Sequence, residues 1–447
     1  MKDKLFTPFI ILCSVIILLL ASSYFNVSSI RFLHLKNIDL LSDIRKQQSP
    51  KPLPLPIVEV DSVIVNSQYK QPTDNTMVID YGVDSNASIT HFFAKLDAIK
   101  SNPKKMRIAY FGDSFIEGDY VTDALRKKMQ LAYGGNGIGF MPMQSIVESD
   151  YNNISFKSNK NWLDNNFISS PNNTLLGLAG HVFYANGNAT TTYTPRKGGS
   201  FNMVKLYTGK STTTNPSVTV AKDNVSQAFA LTNSNLVNET TISAQPIREL
   251  KVTSVDNQLP IYGISIEDAT GIYIDNYGFR GNSGLLTNKI SEDMMRQFNE
   301  YFNYDLIIVH YGLNAVSHGN VKFTWFENAQ SKLIKKIQSA FPNTPILLMS
   351  TSDIGYNQDG TWVTEPGVPY MVSTQRSIAK KNKIAFWDLY SSMGGENTMV
   401  SWAQQSPKLA ALDYIHLSGL GAKKVADIFY DKLMTTKSHY EKKRSSK

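Results

Sequence analysis

The stretch MRIAYFGDSFIEGDYVTDALRKKM, residues 106–129, decides how this chain folds. Its opening MRIAYFG reads as a buried strand, and the positions after Asp119 take up helical spacing. Between them stands Gly112-Asp113-Ser114. Alone, such a triplet makes a tight turn and caps the next helix, because short oxygen side chains satisfy free amides at helix starts. A serine there becomes chemically interesting only if the rest of the chain supplies a base, an orienting acid and donors for an oxyanion.

Outward from this stretch, α/β patterning begins at about Ile89, where HFFAKLDAIK reads as a helix. The pattern breaks between about Asp150 and Asp268, a region rich in Asn, Thr, Ser and Gly with short alternating runs such as SVTVA, LKVTSV and YGISIE. Such runs predict strands, here a β-sandwich-like insert. Alternation then resumes: strand GIYIDNYG, helix NKISEDMMRQFNEYF, strand DLIIVHYG, helix TWFENAQSKLIKKIQSAF, strand TPILLMST, helix YMVSTQRSIAKKN, strand IAFWDLY and a last helix from Gly419. Strands alternating with helices imply a parallel sheet covered on both faces, so the class is α/β.

The expected divisions are a membrane or signal segment at 1–26, a stalk at 27–88, the first α/β part at 89–149, the insert at 150–268, the second α/β part at 269–436 and a basic tail at 437–447. No repeat of fixed period is present.

The 447 residues are 42% hydrophobic and 18% charged, which is ordinary globular composition. A net charge of +8 favours anionic surroundings, yet no nucleic-acid motif accompanies it, and much of the excess sits in the tail KSHYEKKRSSK, read as a solvated or membrane-facing end. Leu5–Phe25 is uncharged and long enough to span a bilayer. Phe9–Leu20 also has the length of a signal-peptide core, with Ala21 and Ser23 as a cleavage pattern. The reading adopted is a retained anchor, and either reading exports the bulk of the chain to the periplasm or cell surface. The only cysteine, Cys13, lies inside that segment, so the exported part has no intramolecular disulfide and no thiolate metal site. The proline-spaced SPKPLPLPIVEV that follows reads as an extended spacer.

In open parallel sheets ligands bind beyond the carboxyl ends of the strands. Those ends carry Ser114, Gly281 in YGFRGNSG and Asn314 in HYGLNAVSHG, and the last loop carries Asp413 and His416 in LDYIHLSG. A serine hydroxyl needs a base to take its proton as it attacks, and His416 is the candidate. Asp413, one turn earlier, can fix the imidazole tautomer. The Ser114 and Gly281 amides and the Asn314 side chain are candidate oxyanion donors. Each has a plainer reading: turn glycine, left-handed turn residue, helix-capping pair. Their shared rim favours one site over four coincidences.

These residues give the chain its resemblance, from about Ile89 to Met434, to the SGNH/GDSL hydrolases, named for Ser, Gly, Asn and His in four blocks. Here those are Ser114, Gly281, Asn314 and His416. The resemblance implies a three-layer α/β/α fold, an acyl-enzyme on Ser114, a triad completed by Asp413 and His416, and an oxyanion hole of Ser114, Gly281 and Asn314. GDSFIEGDYVTDALRKKM followed by YGGNGIGFMP resembles a bacterial envelope subgroup with a carbohydrate-binding-module-like domain after the first block. Peptidoglycan O-acetylesterases are among the relatives so implied. Two departures stand out: Phe115 replaces the leucine of GDSL, and Ala315 follows Asn314 where a carboxylate is usual.

The expected function is therefore removal of O-acetyl groups from an envelope polysaccharide, most simply peptidoglycan. Two other readings stay open: an O-acetyltransferase working beside a polytopic membrane acyl carrier, and a non-catalytic glycan-binding protein. No nucleotide cofactor or metal is implied; His310 and His318 read as core or rim residues, and Asp353 and Asp388 as loop caps. Trp162, Phe183, Tyr184 and Tyr193 are the aromatic sugar-binding candidates of the insert, although sandwich cores also consume such residues.

Overall fold

A computed structural model of the chain describes residues 76–83, 87–148, 151–171 and 174–445. The expected anchor at 1–26 and nearly all of the stalk lie outside the described residues. Among those described, no helix is long and apolar enough to cross a membrane.

The chain runs β1 (Ile79–Asp80), α1 (Ile89–Ser101), β2 (Lys105–Gly112), the single turn α2 (Ser114–Glu117), α3 (Tyr120–Tyr133) and β3 (Gly139–Met141). A run of strands follows: β4 (Ile154–Ser158), β5 (Trp162–Asn166), β6 (His181–Ala185), β7 (Ala189–Pro195), β8 (Met203–Thr208), β9 (Ser217–Lys222), β10 (Val225–Ala230), β11 (Asn238–Ser243), β12 (Leu250–Ser254) and β13 (Ile261–Glu267). Alternation returns with β14 (Gly271–Gly278), α4 (Glu292–Phe302), β15 (Leu306–His310), α5 (Thr324–Ala340) and β16 (Ile346–Met349). The hairpin β17 (Gly355–Gln358) and β18 (Thr361–Thr364) precedes α6 (Val368–Lys381), β19 (Ala385–Trp387), α7 (Leu389–Met393), α8 (Thr398–Gln404) and α9 (Gly419–Ser445).

The main sheet has the order β1-β19-β16-β15-β2-β14. Neighbours from β19 to β14 are parallel, as expected, while β1 joins the edge antiparallel through Ile79 opposite Phe386. Residues of the expected stalk thus belong to the sheet, and the Trp387 indole donates to the Thr76 carbonyl at 2.9 Å. Two paired residues leave no periodicity to read, which is why this strand escapes the sequence.

Strand alternation sends Ala109, Phe111, Ile307, Val309 and Leu348 to one face, where they pack with Phe298 of α4, Ile334 of α5 and Met371 of α6. Ile108, Tyr110, Leu306, Ile308 and Leu347 point the other way, onto Phe92 of α1, Leu125 of α3 and Phe429 of α9. Both faces are covered, so the sheet reads as near-continuous apolar runs. Helix α9 starts at Gly419, as expected, but continues through the supposed tail to Ser445. Lys437 is buried there with Nζ 2.6 Å from Asp97, and Tyr440 joins the core, because the apolar spacing of the helix outlasts its rise in charge.

Among the described residues the regular elements of the insert are strands and a short 3-10 turn at Arg196–Gly198, in two sheets: β10-β9-β12-β7-β4, and β11-β8-β13-β6-β5 with β3 added against β13. The strand β3 was expected to belong to the α/β part. The second sheet is apolar on both sides. Phe183, Val204, Leu206 and Ile264 meet the first sheet, whereas Val182, Tyr207 and Tyr262 pack against Phe298 and the rest of the α/β core. A buried charge network crosses the same seam: Arg107 of β2 donates to Asp275 of β14 at 2.7 and 3.0 Å and also pairs with Glu267 of β13. Burial pushes the Glu267 carboxyl up, but Arg107 and Lys105 outweigh it and hold it down at about 2.

Candidate active site

The strand β2 ends buried against β14 and β15, and the chain must leave it within a few atoms of both neighbours. Gly112 permits this: a Cβ there would lie 2.9 Å from the Ile116 side chain and 3.0 Å from the His310 carbonyl. Asp113 then caps α2, its Oδ1 accepting the Phe115 amide at 3.0 Å, and Ser114 is the first residue of that turn. The capping reading of the motif is correct for Asp113, and it is what holds Ser114 at the rim.

The rest of FGDSFIEGD fixes the turn from below. Asp119 takes a left-handed φ of 61° and receives two bonds from the buried Arg126, at 2.9 and 3.0 Å. The Asn276 amide donates to the Ile116 carbonyl at 2.6 Å. Glu117 accepts Nε of Arg280 at 2.6 Å, which ties α2 to the loop carrying Gly281. Gly278 is required where that loop begins, since a Cβ would meet the Glu117 backbone at 2.7 Å.

Four sequence-predicted residues, Ser114, Gly281, Asn314 and His416, line one cavity of about 740 Å³. Ser114 Oγ lies 3.1 Å from His416 Nε2, and His416 Nδ1 lies 2.7 Å from Asp413 Oδ2. The second carboxylate oxygen of Asp413 accepts the amides of Ile415 at 2.9 Å and His416 at 3.0 Å, so acid and imidazole are locked within one turn of chain. Burial pushes this carboxyl up, but the His416 amide and ring and the Ile415 amide prevail and hold it below the usual carboxylate range. It stays ionised beside an Nδ1–H donor, the tautomer that leaves Nε2 free to accept a proton.

Gly281 has φ 71°, which an L side chain rarely adopts. Asn314 donates from Nδ2 to the Asn282 carbonyl at 3.4 Å. No carboxylate stands at 315, and the buried Asp113 carboxyl, at the end of β2, is close enough for the Asn314 side chain to act on its ionisation. Burial pushes that carboxyl up to about 7, against the pull of the Phe115 amide and Asn314. Sequence spacing gave no sign of this pairing, because it joins residues 201 positions apart.

The other singled-out residues play structural parts. His310 is 3% exposed, bonded through Nδ1 to the Tyr110 hydroxyl at 3.1 Å, with burial lowering its pKa to about 3. His318 sits 3.4 Å from Glu365. Asp353 receives the Met399 amide at 2.8 Å, and Asp388 caps α7 through the Ser391 amide at 2.9 Å. In the insert, Trp162, Phe183 and Tyr193 are core residues, and Tyr184 is half-buried against the α/β core, so none of the first three offers a sugar platform. The insert instead reaches the cavity through Ile168, which is 71% exposed, while Val147, just before it, adds to the same wall.

Residues 260–424 match the model of the GDSL-like lipase/acylhydrolase family. The match opens at β13, the last strand of the insert that separates the Ser114 block from the rest. Among solved structures the chain is similar to a peptidoglycan O-acetylesterase, with 23% identity over 82% of this chain and 99% of that one and a TM-score of 0.66, a likeness of fold. Slighter likenesses are to an acetyl xylan esterase (22% identity, 36% of this chain and 79% of that one, TM-score 0.27) and to a family two carbohydrate esterase from Cellvibrio japonicus (9%, 64% and 99%, TM-score 0.26). No curated protein matches the chain.

Proposed function

We propose, on the premise that the chain is a hydrolase of the GDSL-like lipase/acylhydrolase family, that it removes O-acetyl groups from a cell-envelope polysaccharide, peptidoglycan above all. The observation that carries this reading is the relay of 3.1 and 2.7 Å from Ser114 through His416 to Asp413 at the edge of an open cavity.

Ser114 Oγ attacks the acetyl carbonyl carbon as His416 Nε2 takes its proton. The tetrahedral oxyanion is met by the Ser114 and Gly281 amides and the Asn314 side chain. The carbon–oxygen bond to the sugar breaks, the sugar oxygen takes the proton from His416, and an acetyl ester remains on Ser114. Water then attacks that ester, with His416 again as base, and releases acetate. Asp413 keeps the imidazole oriented and stabilises its charged form throughout.

Transfer to a sugar hydroxyl would use the same acyl-enzyme. The relay is open to either acceptor, since the His416 and Asp413 side chains are 46% and 47% exposed, and hydrolysis is adopted on the resemblance to O-acetylesterases. The envelope setting and any membrane acyl-carrier partner belong to this proposal too, resting on the apolar Leu5–Phe25 segment and on the resemblance. The test is acetate release by the full chain from O-acetylated peptidoglycan, acetylated xylan and acetylated alginate, each with and without a free glycan acceptor. Fastest release from peptidoglycan is expected. Preferential accumulation of acetylated acceptor would replace the esterase reading with the transferase.

A further inference from the structure

The hairpin β17–β18 lies outside the main sheet, yet it touches two of the loops that carry the site. On one arm, the Trp362 ring stacks on Tyr414 at 3.9 Å with 16° between planes. Tyr414 stands between Asp413 and His416 in sequence and takes a left-handed φ of 58°, a conformation costly for a bulky residue unless its surroundings impose it. They do: the Gly355 amide donates to the Tyr414 carbonyl at 2.8 Å, and a Cβ on Gly355 would come within 2.4 Å of the Tyr414 Cβ. On the other arm, Tyr356 stacks on His318 at 4.1 Å and 15°, in the loop that carries Asn314. That loop also packs against Gly367, just past the hairpin, where a Cβ would lie 3.0 Å from the Asn320 carbonyl.

The base of the hairpin is itself held. Glu365 donates its amide to the Ile354 carbonyl at 2.7 Å, the Thr364 hydroxyl donates to Asp353 at 2.8 Å, and the Thr364 amide donates to Asn397 at 3.0 Å. The tip, from Asn357 to Thr361, is exposed and makes no such contacts with the two loops. The ties are therefore concentrated at the base and at two aromatic stacks.

We infer that Trp362 and Tyr356 are positioning residues: the hairpin is a clamp that sets the reach of the Asp413–His416 turn toward Ser114 and the placement of the Asn314 loop. The inference rests on the Ser114–His416–Asp413 reading of the site. Trp362 lines no part of the cavity, so it acts on turnover through Tyr414 and not by touching substrate.

The test compares the full chain with Trp362→Ala, Trp362→Phe and Tyr356→Ala on p-nitrophenyl acetate. The expected result for Trp362→Ala is a fall in kcat of roughly 10- to 100-fold with KM unchanged, since a displacement of about 1 Å in a catalytic group costs that much. Trp362→Phe, which keeps a ring to stack, should recover most of the loss, and Tyr356→Ala should lower kcat by a smaller factor. In an Asp413→Asn background, Trp362→Ala should add almost nothing. A Trp362→Ala enzyme within twofold of the parent in kcat, beside an inactive Ser114→Ala, overturns the clamp and leaves the nucleophile intact. Full activity of Ser114→Ala overturns the reading of the site instead. If Trp362→Ala does not fold, Trp362→Phe and Tyr356→Ala decide, and parental kcat in both overturns the clamp.

Discussion

Ser114 Oγ and His416 Nε2 lie 3.1 Å apart although 302 positions of chain separate them. The first follows the carboxyl end of β2, next to the edge strand β14, and the second sits in the loop ahead of the last helix. In the proposed mechanism the hydroxyl loses its proton to the imidazole as it attacks. Ser114→Ala is therefore expected to abolish p-nitrophenol release from the acetate ester. Its melting temperature should stay at the parental value, because Asp113, not Ser114, caps the turn. Turnover of the parental order by this variant would remove Ser114 as nucleophile.

Asn314→Ala is expected to lower kcat by roughly 100- to 1,000-fold, the usual toll for one oxyanion donor. A loss below about fivefold would exclude that role.

Asp113→Asn should cost less in kcat, because it loosens Asn314 without removing it. Its stability carries a second signature. The folded carboxyl is raised to about 7 while the unfolded one titrates near its usual value of 3.8, so the folded state holds the extra proton between the two. That contribution is complete below about pH 4 and is lost as pH rises toward 7. The variant, neutral throughout, should gain on the parent in melting temperature across this window. A difference that stays constant from pH 4 to 8 would show that Asp113 does not titrate there.

Glu267 runs in the opposite sense. Its folded pKa near 2 lies below the unfolded value of 4.5, so its contribution is present above about pH 4.5 and disappears as pH falls toward 2. The stability gap between the parent and Glu267→Gln should therefore shrink by about 3 kcal/mol at most on acidification from pH 5 to 2, followed by denaturant unfolding. A gap unchanged by acid would mean that the Arg107 pairing does not depend on ionised Glu267.

Ile168 lines the cavity from the insert and is largely exposed without substrate. Ile168→Ala should raise KM for a polymeric acetylated glycan by roughly threefold to tenfold, in keeping with partial burial of one aliphatic side chain. For p-nitrophenyl acetate, too small to reach that wall, KM should not change. Equal effects on both substrates would point to a general disturbance of the site.

What the sequence revealed and hid follows from element length and burial together. Strand β14 runs from Gly271 to Gly278 and α9 begins at Gly419, both as the pattern implied, because eight buried residues or several helical turns impose a period. The equally short β16 and β19 were legible because they are wholly buried and apolar, whereas β1 has two residues and the four-residue β17 and β18 are mixed in polarity and partly exposed, so the hairpin behind Tyr414 was invisible. The site residues were legible since each follows a strand or precedes a helix in a recognisable block. Their supports were not: the Asp113–Asn314 and Glu117–Arg280 pairings join distant loops, and nothing local in sequence announces them.

The sheet formed by β11, β8, β13, β6 and β5 hides side chains on both of its surfaces, with Phe298 and Phe302 of α4 beneath it. Excising 150–268 and splicing the ends would strip those rings of their cover and leave Arg107 without Glu267. The β-rich region is accordingly no detachable accessory: a shortened enzyme would expose a greasy scar beside an unpaired interior cation, and any graft that exchanges this region for another must bring its own roof for α4.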